Sequence, residues 1–148
     1  MKVISIILAM LISVTVAANT NIKKKEEETK VVLKKGGAVY AFSKDDGFKL
    51  TKKAIDNLGV KFLGLGNSKT WDIPKSSIVR IKSATGVYRQ YDDWITLVFV
   101  NILKKNKDTV TINSVDLQNG DGIAISGVKF LRVTDADLNS DTVDACAH

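Results

Sequence analysis

From residue 60 to residue 133 the chain is a succession of short β-prone runs, each closed by a turn signal, and this alternation constrains the fold more than any other feature. The runs cover residues 60–65, 70–73, 78–81, 87–91, 94–103, 109–115, 123–126 and 129–133. Between them stand Gly66-Asn67-Ser68, Pro74-Lys75-Ser76, Ala84-Thr85-Gly86, Asp92-Asp93, Lys105-Asn106-Lys107-Asp108 and Asn119-Gly120-Asp121-Gly122, all turn-forming groupings. Strands this short and this regularly punctuated predict a mainly β domain, a small barrel or sandwich. Residues 94–103 are apolar at nearly every position, as in a central strand buried on both faces. Residues 109–115 alternate apolar and polar, as in a strand with one wet face.

Upstream, residues 31–33 and 38–42 are β-rich runs separated by the hairpin-like Lys34-Lys35-Gly36-Gly37, and Asp45-Asp46-Gly47 marks a second turn. One short helix is expected, over residues 50–59. Thr51 can cap it, Leu50, Ala54 and Leu58 share one face, and Gly59 supplies a left-handed stop. A helix of that length is marginal alone and must lean on strands. Residues 19–29 carry a Lys-Lys-Lys-Glu-Glu-Glu block with no apolar face, which reads as a charged flexible leader. The ordered β-rich domain is expected over residues 30–133 and an acidic flexible tail over 134–148. Asp135, Asp137, Asp141 and Asp144 in that tail lack the glycine and terminal glutamate of a calcium loop.

Met1-Lys2, an apolar run from Val3 to Val16 and the small residues Ala17-Ala18 follow the order of a secretory signal peptide, with residues 1–18 removed. The run is shorter than the ~20 apolar residues that span a bilayer. A periplasmic or secreted protein without a transmembrane span is therefore expected. The formal net charge is +6, carried mostly by scattered lysines, with Arg80, Arg89 and Arg132 the only arginines. Nucleic-acid surfaces gather arginines and aromatics on one face, so no nucleic-acid partner is expected. The single cysteine, Cys146, has no internal disulfide partner. With His148 it offers two metal ligands where a closed zinc site takes four, and no metal or cofactor is expected.

Within 115–127 the chain reads Val-Asp-Leu-Gln-Asn-Gly-Asp-Gly-Ile-Ala-Ile-Ser-Gly. Leu117, Gly120, Asp121, Ile123, Ala124, Gly127 and Leu131 fall in a frame that resembles the closing segment of periplasmic adaptor subunits (membrane fusion proteins) of RND-type efflux pumps. Ile73-Pro74-Lys75-Ser76-Ser77-Ile78 is similar to that family's Pro-x-x-Ala-Val entry into the membrane-proximal domain, with Ser77 in the small-residue position. Gly86-Val87-Tyr88 matches its glycine-and-aromatic strand start, and the passage from Leu50 through Leu58-Gly59-Val60 matches its short helix followed by Leu-Gly-Ile. Asp116 replaces the usual glycine before Leu117. The heptad-patterned helical hairpin and the lipoyl-like half motifs with which those adaptors reach an outer-membrane channel are not among these residues. The resemblance implies a stand-alone version of the domain that sits against the inner-membrane pump, with that pump or its adaptor as partner.

No catalytic constellation is legible. Nucleophilic catalysis needs a base held beside the nucleophile, the only histidine and cysteine lie in a tail expected to be flexible, and the Asp45-Asp46 and Asp92-Asp93 pairs sit where turns are expected. A non-enzymatic protein-interaction domain, accessory to an export system, is the leading expectation. Its candidate contact residues are Trp71, Tyr88, Tyr91 and the Gly120-Asp121 turn, because aromatics dominate interface energy; Trp94 is assigned to the core. The rival expectations are a small-ligand or metal-binding periplasmic protein and a structural envelope protein.

Overall fold

The computed structural model describes residues 37–140. The expected signal peptide, the expected charged leader, the 31–33 run, most of its turn, and Asp141, Asp144, Cys146 and His148 lie outside the described residues. Ten strands form two antiparallel sheets. The larger runs β1 (Val39–Ser43), β2 (Gly47–Leu50), β7 (Trp94–Phe99), β6 (Ala84–Tyr91), β10 (Gly122–Ser126), β3 (Lys61–Gly64), and β5 (Val79–Ile81) pairs with the other end of β6. The smaller runs β4 (Trp71–Pro74), β9 (Thr109–Asn113), β8 (Asn101–Lys105). Two α-helices, α1 (Lys52–Leu58) and α2 (Val128–Leu138), and one 3-10 turn, Lys75–Ser77, complete the fold. Strands hold 47% of the described residues and helices 20%, so the domain is mainly β, as expected.

The strand periodicity of two divides the core into two layers. Val87, Val98 and Ile123 point from the large sheet toward Trp71, Ile73, Val110 and Ile112 of the small one. Their neighbours Tyr88, Ile95 and Ala124 point the other way, toward Ala54 of α1 and Leu131 of α2. The large sheet is thus a middle layer with β6, β7 and β10 buried on both faces. Each large apolar side chain enclosed this way contributes about 1.5–3 kcal/mol.

Three expectations need correction. The run 94–103 is not one central strand: β7 ends at Phe99, Val100 is buried, and β8 continues in the other sheet. A chain that crosses between sheets must place apolar residues in both interiors, which is why the run showed no alternation. The residues read as the turn Ala84-Thr85-Gly86 open β6, and the hairpin turns one step earlier, where Lys82 adopts a φ of 52°. Residues 129–133 are helical, not a strand, and α2 runs on to Leu138, so Asp135 and Asp137 stand on a helix. Val128, Leu131 and Leu138 form its apolar stripe against the large sheet. The stripe is interrupted in sequence by Asp135, which faces the same layer because it accepts a hydrogen bond from the Tyr88 hydroxyl at 3.0 Å. The expected helix over 50–59 is present as α1, with the Thr51 hydroxyl capping the Ala54 amide and Gly59 left-handed at its end.

Candidate functional site

The Gly120-Asp121 turn is built around a fully buried carboxylate. Asp121 Oδ2 accepts the Gln118 amide at 2.8 Å, and the backbone carbonyl of Asp121 accepts the Leu65 amide at 2.8 Å. Gly120 returns its own amide to the Leu65 carbonyl at 3.1 Å, so the turn is stitched to the end of β3. Gly120 holds a φ of 90°, which a side chain would disfavour. On the other side, Arg89 of β6 donates to the Asp116 carbonyl at 2.8 Å and lies 4.0 Å from Asp121 Oδ2. One cation therefore braces both ends of the turn. Arg89 was not among the expected residues, since nothing local in sequence ties it to Asp121.

Trp71 and Tyr88 are also internal. Trp71 packs between the sheets with its indole N–H donating to the Gly66 carbonyl at 3.0 Å. Tyr88 is enclosed on the opposite face of the large sheet, bonded to Asp135. Burial, and then the Asp135 carboxylate beside it, push the Tyr88 phenol well above its ordinary range. Trp71, Tyr88 and Asp121 thus shape the fold from within and present no contact surface. Trp94, assigned to the core, is half-buried on β7 beneath the Lys49 ammonium, 4.9 Å from its ring centre.

The two remaining candidates meet. Tyr91, 54% exposed, closes β6, and Gly120 stands at the tip of the neighbouring turn. Together they rim a shallow depression of about 370 Å³, with Phe62 and Gln90 as walls and Gly64 and Gly122 on its floor. Asp92 and Asp93 border it from the β6–β7 hairpin, where Tyr91 pairs directly with Trp94 across a two-residue loop. Both aspartates have positive φ, 49° and 64°, the signature of a type I′ turn. A Cβ on Gly122 would lie 3.2 Å from Phe62 Cβ, so the glycine keeps the floor low. The Arg89 guanidinium sits 5.9 Å from the Tyr91 ring centre and holds one face of the phenol. The rim thus offers an anchored aromatic, an arginine behind it, two carboxylates and open main chain, the means of a polar and aromatic contact.

Among the described residues no group of three or more His, Cys, Asp or Glu side chains converges, and no helix is long and apolar enough to cross a membrane. No known protein family, curated protein or solved structure matches the chain.

Proposed function

We propose that this is a non-enzymatic protein-interaction domain of the cell envelope, related to the membrane-proximal domain of RND-type adaptors, which docks its partner through the Tyr91–Gly120 rim. The observation that carries the docking reading is the meeting of Tyr91, Phe62 and Gln90 with the Gly120 turn and the Asp92-Asp93 turn around one depression, with Arg89 behind the Tyr91 ring. Tyrosine and arginine are the residue types that most often concentrate interface energy, and a tyrosine already held by an arginine loses little freedom on binding.

The kinship is supported by the structural demand at each motif position. Leu117, Ile123, Ala124 and Leu131 are buried, Gly120 and Gly127 have positive φ, and Asp121 braces the turn. Ser77, in the small-residue position, is fully buried. At Gly86 a Cβ would lie 2.9 Å from the Val98 carbonyl oxygen, so only glycine fits there without displacement.

The partner implied by the kinship is an inner-membrane efflux pump or its adaptor. Affinity capture of the tagged chain after cross-linking in intact cells tests this, with Tyr91→Ala as comparison. Recovery of such a component by the native chain, reduced at least about tenfold by the substitution, is the expected result. Equal recovery by both chains would remove Tyr91 from the contact, and recovery of no export component, where a known envelope pair is captured, would overturn the proposal.

A further inference from the structure

At the other end of β6, on the order of 17 Å along the strand from Tyr91, two adjoining depressions of about 550 Å³ each lie against β5 and α2. Both are lined by Ile78, Arg80 and Arg132, so the two arginines stand at the junction. Lys129 borders the first lobe, and Lys75 and Lys105 border the second; no aspartate or glutamate lines either. Lys75 is engaged with the Lys107 carbonyl and Lys129 lies over the Phe130 ring. The side chains of Arg80, Lys105 and Arg132 make no hydrogen bond or ion pair among the described residues.

Apart from Ser76, the rest of the lobe between β5 and α2 is aliphatic, with Val79, Val128 and Val133 on its walls, and Val133 is 58% exposed. An anion held at the arginine junction would have an apolar trough leading away from it. No aromatic side chain lines either lobe. Single-stranded nucleic acid gains its affinity from stacking on aromatics as well as from charge, and finds no platform here. The lobe volumes lie in the range of small-molecule sites, and paired guanidinium groups suit the planar, multi-acceptor geometry of a phosphate or carboxylate.

We propose that this groove binds a single-chain anionic amphiphile, its phosphate or carboxylate headgroup between Arg80 and Arg132 and its acyl chain in the lobe between β5 and α2. The site is independent of the Tyr91 rim, and its failure would leave the docking proposal untouched.

Calorimetric titration of the protein with decyl phosphate below its micellar concentration tests the inference, with decyl phosphocholine and inorganic phosphate as controls. Saturable binding is expected, at least about tenfold tighter than either control, since headgroup charge and chain both contribute. Arg80→Gln and Arg132→Gln each lower the affinity about tenfold; both side chains are exposed, and circular dichroism verifies that the variants remain folded. Val133→Asn, which adds polarity without charge, weakens decyl phosphate binding while leaving the weak inorganic phosphate binding unchanged. Equal affinity for the phosphocholine, or for inorganic phosphate alone, would overturn the proposal. So would binding only to vesicles containing phosphatidylglycerol and never to the monomer, or displacement of decyl phosphate by an acidic peptide at lower concentration.

Discussion

At position 121 a carboxylate is enclosed with one oxygen on the Gln118 amide and an arginine 4.0 Å away, so its removal takes the acceptor from a main-chain amide and the counter-charge from a partly buried cation together. Asp121→Ala is expected to cost about 2–3 kcal/mol in urea unfolding. Asp121→Asn, which keeps an acceptor for Gln118, should cost only about 1 kcal/mol. Tyr88 makes a different prediction, because its phenol is held protonated in the fold. Up to the ordinary tyrosine value near 10, folded and unfolded chains both carry the proton and the contribution of Tyr88 is intact. Above that pH only the unfolded phenol ionises, and stability falls by about 1.4 kcal/mol per pH unit until the raised folded value is reached. Tyr88→Phe should cost about 1 kcal/mol at neutral pH, and its deficit should shrink as unfolding is measured at rising alkaline pH, since the variant lacks this slope. The turn role of Gly120-Asp121 was legible in the sequence. The burial of Trp71, Tyr88 and Asp121 was not, because their partners Gly66, Asp135 and Arg89 are brought to them by the folded chain and not by a sequence pattern.

Among the elements, α2 depends on a single backbone position at its start. Gly127 has a φ of 72°, and a Cβ there would lie 2.7 Å from Val60 Cγ2 and 2.9 Å from Val60 Cα. Backbone cannot yield as a side-chain tip can, so Gly127→Ala should destabilise the domain by at least about 2 kcal/mol, read as a fall in melting temperature of roughly 10 °C. The β6–β7 turn offers the opposite outcome. Asp92→Asn with Asp93→Gly suits both positive φ values better than the native pair and should raise stability by about 0.5 kcal/mol in the same unfolding measurement. α1 was readable because cap, apolar face and glycine stop all lie within ten consecutive residues. α2 was misread as a strand and an acidic tail because the polar member of its inward stripe, Asp135, is satisfied by Tyr88 on a distant strand. The same limit hid the break at Val100: a run apolar at nearly every position does not say whether it stays in one sheet or crosses to the next.

For the molecule as a whole, the large sheet is a rigid middle layer that carries one candidate surface at each end of β6. The rim around Tyr91 holds Asp92 and Asp93, whereas the groove around Arg80 and Arg132 holds cations alone. A net charge of +6 spread over scattered lysines gave no hint of this division, because charges on turn, strand and helix positions gather only once β5, β8 and α2 are placed side by side. The mainly β architecture was legible from strand spacing, while the surfaces it creates were not. The docking proposal is tested most directly by placing a photo-cross-linking residue at Tyr91 and, in a second chain, at Tyr40 on the edge strand β1, also exposed. Irradiation of intact cells should yield a covalent adduct with an export-system protein from position 91 and none from position 40. An absent adduct at 91, or the same adduct from both positions, would contradict docking through this rim.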